Sequence, residues 1–292
     1  MLPVGCGRCT YGILAQGDPI EGIVMGIRAL TNEQHTRVLE NLVSLGRSIQ
    51  ETGPSYHLAG PEYTSLMVCF LMHNITVAQS LLKLLEVFKE EFFPTTMGFV
   101  AVRSMFEADV NAHYISLSPV ERSRQFIDFE AVLEKQQMDR WHKHRASNKE
   151  DWEEAMNEAW AKAWLPRKDE IERRFVSVQG RYQRTSSKGK AQTFANWSGK
   201  SLRELAVLVD HEEAYDVFYS DLCSFAHVDV RLANRFLRIS RDGLSWTQRA
   251  LQPDIGGVIR YAAIFLDCFL RLFGKEFGNW DESDIQECWG SV

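Results

Sequence analysis

The amino-acid sequence predicts an all-α protein, a multi-helix bundle of about eight or nine helices. Three observations predict it. Apolar residues recur at helical spacing, beginning with Val38, Leu39, Leu42, Val43, Leu45 and Ile49. Prolines are few, eight in 292 residues, and Pro61, Pro94, Pro119, Pro166 and Pro253 fall where helices are expected to begin. Thr31 with Gln34, and Ser201 with Glu204, have the spacing of capping boxes. A chain with 45% hydrophobic and 25% charged residues is ordinary for a globular protein, which excludes a wholly disordered chain, a collagen-like fibre and a disulfide scaffold. The net charge of −6 argues against a dedicated nucleic-acid coat, although a local basic patch is compatible with it.

Residues 1–30 are glycine-rich and lack periodicity, so they read as a leader or covering arm, with 31–292 as a single helical-bundle domain. The first helix follows Thr31. Gly53, Pro54 and Gly60 mark a loop over 51–60, and Pro61 opens a long helix to about 92. Its middle, 66–85, is apolar nearly all round and predicts a central helix. Pro94 breaks it, and Thr95 or Thr96 is placed to cap a helix over 97–117. Ser118-Pro119 starts another, toward 144. Asn148 opens one carrying Trp152, Met156, Trp160 and Trp164 at intervals of four, a packing or partner face, with Glu150, Glu154 and Glu158 on a solvated face. A helix from Pro166 runs to about 178. The stretch 180–199 reads as a basic loop carrying Arg181, Arg184, Lys188 and Lys190. Helices over 201–209 and 212–227 follow, then at most one short β-hairpin near 238–248 around Asp242-Gly243, then a last long helix to about 273.

Of six cysteines only Cys6 and Cys9 are close. With no second such pair, a zinc knuckle is not expected, and neither a metal nor a cofactor is assigned. Cys69, Cys223 and Cys268 sit in apolar helical patterns and read as packed thiols. No secretory signal pattern opens the sequence. The most apolar stretch, 258–273, is interrupted by Arg260, Asp267 and Arg271, too short and too charged to span a bilayer. A cytoplasmic protein without membrane contact is the expectation. Metalloprotease, di-iron, nucleophile-elbow and dinucleotide-binding motifs are absent.

Two polar stripes interrupt apolar helices. On 97–117, Arg103, Glu107, Asn111 and Tyr114 share one face at spacings of 4, 4 and 3, beside apolar Val102, Met105, Phe106 and Val110. On the helix from 212, Tyr215, Tyr219 and Cys223 run by four, flanked by Ser220, Ser224 and His227, and Arg231 follows. Joined in one cleft, Arg103, Glu107 and His227 amount to an anion clamp, an orienting carboxylate and an acid–base group. Those are the parts that metal-independent phosphodiester cleavage by an RNA's own 2′-hydroxyl needs.

Three stretches, VRSMFEADVNAHYI from Val102, the following ERSRQFIDFEAVLEK, and NWSGKSLRELAVLVDHEEAYDVFYSDLCSFAHVD from Asn196, resemble the bacterial domain-of-unknown-function 5677 family over about residues 65–240. That resemblance implies an all-helical fold with no settled activity, similar to the HEPN superfamily, many of whose members are RNases or defence toxins and form homodimers. It carries over Arg103, Glu107, Tyr219, Ser224 and His227 as the polar cluster. Active HEPN RNases hold an arginine and a polar residue shortly before the histidine on one helix. Here those places hold Asp221, Leu222 and Cys223, so Arg103 would have to act from another helix.

Two readings follow. The first is a helical binding, interaction or ligand-sensing module whose buried polar cluster is a structural network or a pocket for a small anionic ligand. The second is a HEPN-like RNase or nucleic-acid-acting defence protein, with His227 and Arg103 in catalysis and Glu107 orienting. In that reading Tyr219, Ser224, Tyr114, Asn111 and Arg231 contact substrate, and the 181–190 segment steers RNA.

Overall fold

The computed structural model describes residues 30–53, 57–92, 94–147, 164–185, 191–219, 237–240, 243–246, 255–278 and 282–291, with positions 158, 161–162 and 222–223 between them. The chain divides into two compact units, one made of residues up to Pro119 together with those from Leu202, the other Val120–Ser201.

The first unit is a helical bundle. Helix α1 (Asn32–Thr52) begins on the capping box expected at Thr31: its side chain accepts from the Gln34 amide at 3.2 Å, and Gln34 accepts from the Thr31 amide at 2.9 Å. Val38, Leu39, Leu42, Val43 and Ile49 form its buried stripe. Helix α2 (Pro61–Phe92) has the bounds its prolines suggest, and buries Tyr63, Met67, Leu71, Ile75, Ala78 and Leu81 on one side. It is half-buried rather than buried all round, and Cys69, expected to be packed, is exposed on it. By length and composition its Pro61–Phe88 portion, rather than 258–273, could cross a membrane; 39% of its most apolar window is buried in the bundle.

Helix α3 (Thr95–Ser116) starts on Pro94 without a side-chain cap, and Thr95 is buried inside the helix instead of capping it. The unit is organised around helix α7 (Ile255–Phe277), which packs on α1, α2 and α3. Val258, Ile259, Ala262, Phe265, Leu266, Phe269 and Phe273 on α7 are buried. Its one buried carboxylate, Asp267, is held by Arg271 at 2.7 and 3.1 Å and by the Trp289 indole at 2.9 Å. Trp289 belongs to helix α8 (Glu282–Gly290), which had no counterpart among the expected helices. Asn41 of α1 donates to the Cys288 carbonyl and to Ser291, tying α8 down.

Helix α6 (Leu202–Leu208) packs on α3. A further helix expected from 212 to 227 begins as one α turn, Glu212–Ala214, and widens into a π-helix over Tyr215–Tyr219. Strands β3 (Leu237–Ser240) and β4 (Gly243–Trp246) form the expected antiparallel hairpin, with Ser240 opposite Gly243.

The second unit holds helices α4 (Pro119–Ser147, its first residue apart) and α5 (Lys168–Val178). Met138 and Ile171 form one buried apolar cluster in it, with Trp141 and Trp164 packed against them. Trp164 therefore serves packing, while Trp152, Met156 and Trp160 lie outside the described residues. Glu134 of α4 accepts from Arg167 at 2.7 Å and Arg174 at 2.8 Å, and Arg174 also reaches Glu130 at 2.8 Å. The stretch 180–199 corrects the loop expectation. It contains a second antiparallel ribbon, β1 (Gln183–Thr185) with β2 (Ala191–Thr193), beyond the single hairpin expected near 238–248. Tyr182 anchors it, donating to the Gln125 carbonyl at 2.6 Å and meeting Phe129 edge-on.

Gly46 of α1 lies against Ile75 of α2: an added Cβ would stand 2.9 Å from Ile75 Cδ1. Gly46→Val is expected to overpack this crossing and lower stability by about 1–3 kcal/mol, read as a shifted urea midpoint at unchanged slope.

Candidate functional site

Helix α3 presents polar residues on two opposite faces. On the first, the i,i+4 spacing brings Arg103 Nε to Glu107 Oε1 at 2.8 Å. The same oxygen accepts from the Tyr219 hydroxyl, also at 2.8 Å. The Arg103 guanidinium lies over the Tyr219 ring, 5.1 Å from its centre, a cation–π contact. Arg103, Glu107 and Tyr219 thus close a triangle.

The π-helix accounts for Tyr219's position. Its wider turn stacks Tyr215 on Tyr219 at 4.8 Å, and both rings pack against Phe106 of α3, which in turn meets Phe265 of α7. Tyr219 is nearly buried, whereas the Arg103 and Glu107 side chains remain 22% and 38% exposed. The cluster is therefore part-buried at its charged end and buried at its aromatic end.

Burial pushes the Tyr219 phenol well above its usual range, the hydrogen bond and charge of Glu107 push it further, and Arg103 pulls only weakly the other way. For Arg103, burial favours the neutral form, but the bond and charge of Glu107, with Tyr219 and Cys223 nearby, outweigh it and raise its pKa. At neutral pH the site is an arginine cation held beside a neutral phenol.

The other candidates separate. Asn111 donates to the Glu107 carbonyl at 2.7 Å, so its side chain is turned to its own helix backbone. Tyr114 is buried on α3. Ser224, His227 and Arg231 lie outside the described residues. Arg181 of the basic segment is paired with Asp128, and the side chains of Arg184, Lys188 and Lys190 lie outside the described set.

The opposite face of α3 carries a cluster that was not among the expected site residues. Asp109 and His113, one helical turn apart, meet His211 across 102 positions of chain, from Asp109. His211 Nε2 lies 3.0 Å from Asp109 Oδ2, and His113 Nδ1 lies 3.1 Å from Oδ1 and 3.0 Å from the Asp109 carbonyl. The imidazole centres are 4.6 Å apart. Asp109 and His211 are fully buried and His113 nearly so.

A helix terminus sets His211 there. The His211 amide bonds the Ala206 carbonyl at 2.7 Å and the Asp210 amide bonds that of Val207 at 3.4 Å, the paired bonds of a Schellman motif. Asp210 fills its left-handed position at φ 59°, where glycine is usual. The one available signal was the D-x-x-x-H spacing on α3, which is also that of an ordinary surface ion pair.

A helical bundle in which one helix carries a tyrosine-backed arginine–glutamate pair is the class of protein these elements define. The model of the family of unknown function DUF5677 matches residues 64–244, and the chain belongs to that family. No match is found among curated proteins or among solved structures.

Because Arg103 and Glu107 are part-exposed, removing either strands less charge than a fully buried pair would. Glu107→Gln is expected to cost about 1–2 kcal/mol in chemical denaturation, and Tyr219→Phe about 0.5–1.5 kcal/mol. Since the Tyr219 pKa is raised on folding, the stability it confers is complete below about pH 10 and falls as pH rises through the folded value. A phenolate absorbance titration of wild type against Tyr219→Phe should therefore show the same ionised-tyrosine signal near pH 10.5, with the difference emerging only as the protein unfolds in stronger alkali.

Proposed function

We propose that this chain is a ligand-binding helical module and that Arg103 receives a small anionic group. The observation that carries the reading is the triangle itself. Glu107 and Tyr219 hold the guanidinium from two sides before any ligand arrives, while about a fifth of the side chain faces solvent. A cation fixed in advance loses little side-chain freedom on binding, and a guanidinium matches the paired oxygens of phosphate or carboxylate. Glu107 offsets the local positive charge, which favours modest affinity and selection by shape.

A HEPN-like RNase is the second reading. It is favoured by Glu107 gripping Arg103, the orienting role that reading assigns to it. It further requires His227 to approach the same cluster. A homodimer and a cytoplasmic location go with either reading, and sedimentation of the purified chain checks the first.

Heteronuclear NMR titration with inorganic phosphate, and with a nucleoside monophosphate, tests the module. Wild type is expected to saturate with shifts centred on 103–107 and 215–219, with Arg103→Gln weakening binding at least about tenfold, the equivalent of 1.4 kcal/mol. Equal binding by wild type and Arg103→Gln, or none by wild type, overturns it. Cleavage of mixed RNA by wild type but not by His227→Ala replaces the module with the RNase.

A further inference from the structure

We propose that Asp109, His113 and His211 form a binding site for a zinc-class divalent cation, which clips helix α3 to the turn that ends α6. Each residue offers one ligand atom, and the three lie within 4.8 Å of one another. Two imidazoles and one carboxylate are a ligand set that zinc accepts, as in hydrolytic sites with two histidines and one acid.

The geometry is that of an open site within a small closure of a loaded one. Two ligand atoms each about 2.0 Å from a tetrahedral ion stand roughly 3.3 Å apart. Here each imidazole nitrogen faces a different carboxylate oxygen of Asp109, at 3.0 and 3.1 Å, and the three ligand atoms lie within 4.8 Å of one another, so the side chains close in on binding. An ion would occupy the space in which the ring protons now point at the carboxylate. On uptake each inner nitrogen gives up its proton: a neutral ring carries it instead on the outer nitrogen, a protonated ring already holds one there and releases the inner proton to solvent, and the freed nitrogen lone pairs and one carboxylate oxygen bind the ion.

Charge argues the same way. Asp109 is fully buried, away from the water that would otherwise solvate its charge. A buried anion needs a compensating cation. A divalent ion supplies it with both rings neutral.

The backbone is arranged for this position too. Asp210 adopts the left-handed conformation that glycine would adopt with less strain, and this conformation sets His211 against α3. Three protein atoms leave a fourth position for a water or another ligand. With the cluster buried, the ion would serve structure rather than hydrolysis. The site is separate from Arg103 and its fate does not depend on the anion reading.

The test uses the full chain carrying Cys6→Ser and Cys9→Ser, purified without a histidine tag, stripped with chelator and titrated with zinc and with cobalt(II). The expected result is about one metal ion per chain, a visible cobalt spectrum of a low-coordinate site, and a Tm that rises with zinc and falls back with chelator. His211→Asn is expected to lose the stoichiometry while retaining a helical circular dichroism spectrum. Should that variant fail to fold, zinc-edge X-ray absorption of the loaded parent decides, with two imidazoles and no sulfur expected. Stoichiometry below about 0.1 with an unchanged Tm overturns the site, as does sulfur in the shell or full binding by folded His211→Asn.

Discussion

Much of the first unit depends on one constraint: a carboxylate, Asp109, sits fully buried in the bundle and must be compensated there. His113 comes from the same helix and needs only the right spacing. His211 comes from far along the chain and must be delivered. The Schellman motif at the end of α6 delivers it, and the next eight residues then run from His211 to Tyr219. Asp109 and Glu107 are two positions apart, so they point roughly 200° apart around α3. One short segment therefore grips the helix on two nearly opposite faces, by imidazole at one end and phenol at the other. The widening into a π-helix falls inside this span, where a regular helix would carry the second tyrosine elsewhere.

Legibility in the sequence followed how local each signal was. Proline and capping chemistry act within a few residues, and α1, α2 and the α6 start were read closely from them. The hairpin at β3–β4 was read from a turn dipeptide between alternating residues. What stayed hidden was non-local. Helix α8 is short and polar, and is held by Asp267 and Asn41 from other helices rather than by a strong stripe of its own. The β1–β2 ribbon lies in a stretch of Ser, Lys and Gly that looked like loop because its anchor, Tyr182, pairs with α4.

The candidate site divides in the same manner. Arg103 and Glu107 were legible as an i,i+4 pair, and Tyr219 as their partner through resemblance and polar patterning. The Asp109–His113–His211 cluster was not, because half of its geometry comes from a helix end and a left-handed residue that no periodicity announces. Membership of a family without an assigned function settles ancestry and leaves chemistry to be argued from such clusters.

The order of the chain also separates the clusters from one of its two units. The bundle is interrupted at Pro119 and resumes at Leu202, so the second unit is an insertion in sequence. Its stabilising contacts, Glu134 with Arg167 and Arg174, and Met138 with Ile171, are self-contained. Both polar clusters of α3 are built from residues outside it. Changes confined to 120–201 therefore leave every residue of both clusters in place, although the family model spans this stretch as well.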